Sequence, residues 1–322
     1  MTQQSSSQVN AKITDIVELL RPAQWVKNVV VFAAPAAGLK LLEVGSFLRA
    51  AAAFAGFCLA ASACYAINDV VDREADRLHP TKRQRPVARG AIEPGAAIGI
   101  GIGLLLAGVG LTFGLLRAQS TLVLVLYFFL TLTYSLVLKQ VILLDVIVIA
   151  TGFVLRAWAG AVAVNVPTSA WLAACMFTLC MFMGFGKRRC ELAMMGATDD
   201  AARHRQTLVR YTPDLLNHLI TVSAGIAVMT FLLYTRDVSR TPTPFPKEQL
   251  FITLPIVVYG IFRFAMVTEL GLYSGPTEIV LRDRPLLLAI LIWAIAALVI
   301  AYQGVLFGPE GLIGMLKKTG VT

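Results

Sequence analysis

The sequence predicts an all-α integral membrane protein: nine transmembrane helices behind a short N-terminal amphipathic helix. Three observations carry that prediction. Of 322 residues, 57% are hydrophobic and only 15% charged, where a soluble domain carries about 25% charged. The apolar residues come in blocks of about 20, the length that crosses a ~30 Å hydrocarbon layer. Lys and Arg are also divided unevenly between alternate connecting segments, the usual mark of membrane orientation. One large soluble core is excluded by the block pattern.

Residues 1–12 are polar and read as a disordered tail; residues 13–322 read as a single membrane-embedded domain. In 13–22, Ile13, Ile16, Val17 and Leu20 form one helical stripe ended by Pro22, the pattern of a helix lying on a membrane surface. Nine spans follow, at 25–42, 47–67, 95–116, 119–138, 141–164, 167–186, 215–235, 250–270 and 286–307. No cleavable signal peptide is visible. The five cysteines show no CxxC spacing and read as small buried hydrophobes rather than a disulfide frame or metal site. Gly95, Gly99 and Gly103 repeat every fourth residue, which predicts close helix packing there. GIGIG follows no strand and is no nucleotide loop.

Placing the N-terminus in the cytoplasm puts 18 Lys and Arg on that side and 8 on the other, with Arg156 and Arg263 inside spans. The bias predicts a multi-pass protein of the cell (inner) membrane, N-terminus inside. The net charge of +9 is therefore mainly a topology signal and does not argue for nucleic acid.

The second span runs into INDVVDREADRLHP. Setting Asn68 at zero and turning about 100° per residue puts Asp72 near roughly 40°, Asp76 near roughly 80° and Asp69 near roughly 100°. Glu74 points elsewhere. Carboxylates on one face repel unless a cation sits among them. Hard oxygen donors suit Mg²⁺, which keeps waters and binds substrate phosphates. Asn68, Asp69, Asp72 and Asp76 are thus the candidate metal set, with the three aspartates as catalytic candidates. The structural alternative is a helix end whose acids pair with Arg73 and Arg77.

Four polar patches are expected to gather on the same predicted side. HPTKRQRP offers Lys82, Arg83 and Arg85, and RPAQWVKN offers Gln24, Lys27 and Asn28. FGKRRCEL sets Lys187, Arg188 and Glu191 on one helical face with Arg189 on another, and TEIVLRDRPL offers Asp283 and Arg284. Arg binds phosphate bidentately and Lys as a point charge. Tyr134 and Ser135 end the fourth span and either bind a substrate hydroxyl or, for the tyrosine, decorate the membrane interface. Asp145 either supports the site or pairs with Lys139, and the intramembrane Arg156 either meets a phosphate or braces a helix. None of His79, His204 and His218 lies in an acid–base constellation, and His218 reads as a packed core residue.

NDxxDxxxD at the end of the second span, with polar loops after spans two, six and eight, resembles the UbiA prenyltransferase superfamily over roughly residues 20–307. The resemblance implies a UbiA-type bundle in which Mg²⁺ holds a diphosphate at the cytoplasmic end. Members that prenylate aromatic rings carry a second Asp-rich motif after span six; here that place holds GKRRCEL, and Asp199 and Asp200 lack the repeat. With RPAQWVKN, HPTKRQRP and RDRP, the chain is similar to the decaprenyl-phosphate phosphoribosyltransferase branch. That implies phosphoribosyl pyrophosphate as donor, a polyprenyl phosphate as acceptor, and a product feeding arabinan cell-wall synthesis. An aromatic or haem prenyltransferase of the same superfamily is the alternative. A CDP-alcohol phosphatidyltransferase is disfavoured because no Gly follows Asp69, and a transporter because no paired broken helices are seen. Self-association is left open.

Overall fold

The computed structural model describes residues 13–79, 81–195, 210–236 and 245–307; the expected tail at 1–12, and Asp199 and Asp200, lie outside them. Those residues are almost entirely helical, with no strand among them. We label the helices α1 (13–20), α2 (Val44–Val71), α3 (Pro94–Leu115), α4 (Ala118–Leu136), α5 (Leu144–Ala163), α6 (Ala170–Met195), α7 (Pro213–Arg236), α8 (Leu254–Glu269) and α9 (Arg284–Phe307). Among the described residues eight helices are long and apolar enough to cross a membrane, α8 joining the 3-10 turn Lys247–Thr253 to do so. They fall on eight of the nine expected spans. The protein is a multi-pass membrane protein.

The remaining expected span, 25–42, is not a continuous α-helix. It is an 11-residue 3-10 helix, Pro22–Phe32, followed by a short α-helix, Ala33–Ala37, and a further 3-10 turn, Lys40–Leu42. Pro35 lacks the N–H that would bond the Val31 carbonyl in a continuous α-helix, and the β-branched run Val29–Val31 lowers helix propensity slightly. α1 is helical over 13–20; Leu19 is buried, while Ile13, Ile16 and Val17 stay exposed.

The chain folds as two compact units. The first holds α1, the 3-10 helix, α2, α3, α4 and most of α5. Its core packs Val31, Phe57, Leu124, Tyr127, Leu155 and Ala159. α2 and α3 meet through small residues: a Cβ at Gly108 would lie 3.1 Å from the Gly56 carbonyl oxygen. The expected packing at Gly95, Gly99 and Gly103 is corrected, because a Cβ at any of them meets nothing within 4 Å. α3 is apolar all round, so its pattern could not tell lipid from partner helix.

The 3-10 helix lies antiparallel against α2. Arg21 pairs with Asp69, Trp25 Nε1 donates to Ser62 Oγ at 3.0 Å, Asn28 Nδ2 donates to Cys58 Sγ at 3.3 Å, and Phe32 meets Phe54 at 5.7 Å between ring centroids. Eleven steps at about 2.0 Å each match fifteen at about 1.5 Å each, so about 22 Å of each element stays in register. Arg21 and Asp69 therefore share one end of this unit.

The second unit holds α6 to α9. Phe182 and Phe264 pack at 5.0 Å, and Phe231, Tyr234, Phe245 and Leu250 form its other cluster.

Candidate functional site

The acid motif straddles a break. α2 ends at Val71, Asp72 sits at φ −87° and ψ 4°, and a short helix runs Arg73–Leu78. Asp69 and Asp76 are buried, at 2% and 3% exposure, while the Asp72 side chain is 28% exposed. The expected single quadrant thus separates into two groups. Arg85 NH1 bridges Asp76 Oδ2 at 2.6 Å and Asp69 Oδ1 at 3.3 Å, and Arg21 also pairs with Asp69 Oδ1. Asp72 instead takes Lys139 Nζ at 2.7 and 2.9 Å and Asn68 Nδ2 at 3.1 Å. The structural alternative, pairing with Arg73 and Arg77, does not describe these acids: Arg77 bonds exposed Glu74 and the Ala88 carbonyl.

Arg21 and Lys139 were not among the expected site residues. Arg21 has φ 51° directly before Pro22, a left-handed conformation that a non-glycine residue rarely adopts. Its guanidinium lies 5.1 Å from the centre of the Tyr65 ring. Burial pushes the Arg21 pKa down, with Asp69 opposing. A signal was present in the arithmetic: three acids close together call for cations, and Lys139 opens the next loop on the same side.

The other expected residues of the first unit divide. Lys82 and Arg83 are exposed on a 3-10 turn, Lys27 is exposed, and Gln24 and Tyr134 are half-buried. Asn28 is buried: its Oδ1 accepts from Arg156 Nε at 2.8 Å, and Arg156 NH2 donates to Tyr127 Oη at 2.7 Å. Arg156 thus braces the 3-10 helix against α4 and α5. Asp145 is fully buried in the first turn of α5.

In the second unit Lys187, Arg188 and Glu191 share a face as expected. Arg188 is buried and donates to Glu191 at 2.5 Å, Lys187 lies 3.7 Å from Glu191, and Arg189 turns away to Asn217. Asp283 is buried in a two-pronged pair with Arg263, at 3.0 and 2.8 Å, and its Oδ1 accepts from the Leu286 backbone N–H at 2.9 Å. Arg284 is exposed. His218, expected in the core, is exposed, with Nδ1 2.7 Å from the Asp214 carbonyl oxygen.

Among the described residues no three Asp, Glu, His or Cys side chains gather closely enough to enclose a metal by themselves. The donor set still suits a hard cation. Asp69 Oδ2 is buried without a hydrogen-bond partner, and Mg²⁺ needs only one or two protein carboxylates when substrate phosphates and waters complete its shell.

Comparisons with known proteins agree with this picture. The chain is 35% identical over 290 residues to the decaprenyl-phosphate phosphoribosyltransferase of Corynebacterium glutamicum, covering 89% of this chain and 86% of that one. It is 36% identical over 287 residues to the enzyme of the same name from Mycobacterium tuberculosis, covering 87% and 92%. A solved UbiA homologue from Archaeoglobus fulgidus, bound to GPP and Mg²⁺, superimposes with a TM-score of 0.67 at 17% identity, over 90% of this chain and 98% of that one. The model of the UbiA prenyltransferase family matches residues 29–245. With that match and relatives alike over most of its length, the chain belongs to the UbiA prenyltransferase family.

Proposed function

We propose that the protein transfers the 5-phosphoribosyl group from phosphoribosyl pyrophosphate to decaprenyl phosphate, giving decaprenylphosphoryl-5-phosphoribose and pyrophosphate. The observation that carries this reading is the near full-length similarity to enzymes named for that reaction. The site is consistent with it, because its carboxylates stand among cations able to bind phosphate.

The C1–oxygen bond to pyrophosphate breaks with its electron pair on the leaving group, through an oxocarbenium-like state. A lone pair of the acceptor phosphate forms the new C1–oxygen bond. That phosphate has a second pKa near ~6, so it is already anionic at neutral pH and needs no strong general base. Asp69, Asp72 and Asp76 would hold Mg²⁺ with the donor's diphosphate. When bound, such a cation supplies positive charge to the departing pyrophosphate. Arg85, Lys82 and Arg83 stand on the same loop to bind donor phosphates. Lys187, Arg188 and Arg284 are the further cations assigned to the substrates. The donor is soluble in the cytoplasm and the acceptor is a lipid, so the reading places the site at the cytoplasmic membrane edge. The same reading assigns the product to arabinan cell-wall synthesis.

The test is purified protein in lipid nanodiscs with labelled phosphoribosyl pyrophosphate, decaprenyl phosphate and Mg²⁺. The expected result is a labelled lipid that disappears with chelator and falls at least about 100-fold in Asp72→Asn, the scale on which lost transition-state charge stabilisation is felt. A parallel reaction with prenyl diphosphate and an aromatic acid is expected to give no product. Transfer of the prenyl group and none of the phosphoribosyl group would refute the proposal.

A further inference from the structure

We propose that α1 is a strap seated in the membrane surface. Its exposed apolar face takes the acyl-chain boundary of the bilayer, and its opposite face holds the α2–α3 loop in place beside the acid motif. Arg89 fastens the two; it is a positioning residue that acts through α1 and touches no substrate. The inference rests on the donor reading above only for what the held loop binds.

The two faces follow from spacing. Turning about 100° per residue puts Ile13, Ile16 and Val17 within about 100° of one another, and Asp15, Glu18 and Leu19 within about 100° on the far side. The fold uses the second face to grip the loop. Leu19 is buried in a cluster with Ala66 of α2, Val87 and Ile92 of the loop and Ala97 of α3. Arg89 NH1 donates to Glu18 Oε2 at 3.0 Å, and Arg89 NH2 pairs with Asp15. The same NH1 also reaches the Gln84 carbonyl oxygen. The Arg89 backbone N–H donates to the Arg85 carbonyl at 3.0 Å, so whatever holds Arg89 also holds the backbone of the residue that spans Asp69 and Asp76. Ser62 Oγ donates to the Leu20 carbonyl at 2.8 Å and fixes the end of α1 to α2.

Ile13, Ile16 and Val17 are 54%, 40% and 48% exposed, an apolar face with no charge in it. Its depth identifies what covers it. Leu19 shares its cluster with Ala97 and Ile100, in the first two turns of α3, a 22-residue helix apolar enough to cross a membrane. The first turns of such a helix lie at the edge of the hydrocarbon layer. Three branched side chains left bare at that depth are removed from water by the acyl boundary, where amphipathic helices settle. The grip on the far side is partly exposed, and ion pairs of that kind are weak alone. α1 therefore holds the loop firmly only while its apolar face is seated.

The experiment uses the full-length protein in lipid nanodiscs. An environment-sensitive fluorophore on Ile16→Cys reads the seat, with the signal of identically treated unaltered protein subtracted. Blue-shifted emission is expected, quenched more by nitroxides high on the lipid acyl chain than by nitroxides at its end. Water-like emission without quenching overturns the seat. Amide hydrogen exchange over residues 84–92 reads the loop. Three variants are compared: Arg89→Gln, Asp15→Asn with Glu18→Gln, and Ile13→Ser with Ile16→Ser and Val17→Ser. Each is expected to speed exchange there at least about threefold, the scale of one or two exposed ion pairs, and to leave α4 unchanged. An unchanged loop in the apolar-face variant overturns the strap. In the transfer assay each should raise KM for phosphoribosyl pyrophosphate by a similar factor, with KM for decaprenyl phosphate and kcat held. The acid variant separates a strap from a phosphate ligand: an Arg89 that bound the donor would bind it better when freed from Asp15 and Glu18, so a lowered KM there overturns the proposal. Labelled product with unaltered loop exchange in all three variants would sink the strap and leave the donor reading standing. Faster exchange and lipid quenching with no labelled product would do the reverse.

Discussion

At Gly160 a Cβ would sit 1.7 Å from the Val31 carbonyl oxygen and 2.7 Å from its carbonyl carbon. Both are backbone atoms of the 3-10 helix, so no side-chain rotation can relieve the clash. Gly160→Ala must push that helix off α5 and strain the Arg156–Asn28 bond four residues away on α5. We expect a cost of about 3 kcal/mol or more, the upper end for overpacking. Gly95→Ala, in open space, should be near neutral. Melting in detergent followed by tryptophan fluorescence checks both: Gly160→Ala should melt several degrees lower, and equal melting points would show that the contact does not exist. The sequence could not single out Gly160 in AWAGAVAV, because a glycine's worth there depends on a backbone distant in the chain. Lys139 was hidden for a related reason. Its role depends on a partner 67 positions away, and in the sequence alone it looks like any loop cation.

Whole elements are legible in the sequence where their chemistry is local. Eight α-helices fell on their hydrophobic blocks, because in lipid every backbone polar group must bond within its own segment; α6 alone runs well past its block, to Met195. The helical face of Lys187, Arg188 and Glu191 was legible too, being set by 3.6-residue periodicity alone. The 3-10 helix was not. A hydrophobic block gives length in residues, while rise per residue follows from packing against α2. The acid motif is legible in the sequence but its geometry is not, since the break at Asp72 turns the chain away from one ideal wheel. Asp283 shows the same limit: its buried carboxylate is spent on Arg263 and on the first turn of α9. Arg263's hydrogen bonds hold that carboxyl below the usual carboxylate range. Its folded value being depressed, the stability it adds is present above the ordinary value of about 3.9 and is lost as pH falls through the lower folded value. Asp283→Ala should lose at least about 1 kcal/mol of cap at neutral pH. Asp283→Asn should keep the cap, lose the ion pair, and flatten the acid limb of a melting-temperature profile below the ordinary carboxylate value of about 3.9. A steep acid limb retained in Asp283→Asn would assign that titration to another group.

For the molecule as a whole, the prediction concerns which way it faces. The charge count alone favours a cytoplasmic N-terminus, but a count needs the correct number of crossings, and the first segment is not an ordinary span. Ion pairs and hydrogen bonds within the first unit supply what the count lacks. Arg21 meets Asp69, and Asp72 meets Lys139, so the start of the 3-10 helix, the α2–α3 loop and the α4–α5 loop share one end. Arg117 NH1 meets Asn165 Oδ1 at 2.7 Å, so the α3–α4 loop and the end of α5 share another. The basic loop carrying Arg73 to Arg89 belongs to the first group, and the positive-inside bias then turns that end to the cytoplasm. Truncated fusions read this directly, with alkaline phosphatase active only outside the cytoplasm and green fluorescent protein fluorescent only within it. Fusions after Gly90 and Gln140 should fluoresce and lack phosphatase activity; fusions after Arg117 and Arg236 should do the opposite. The reverse pattern would put the carboxylates outside, away from a soluble cytoplasmic donor, and the proposed reaction would fail with the topology.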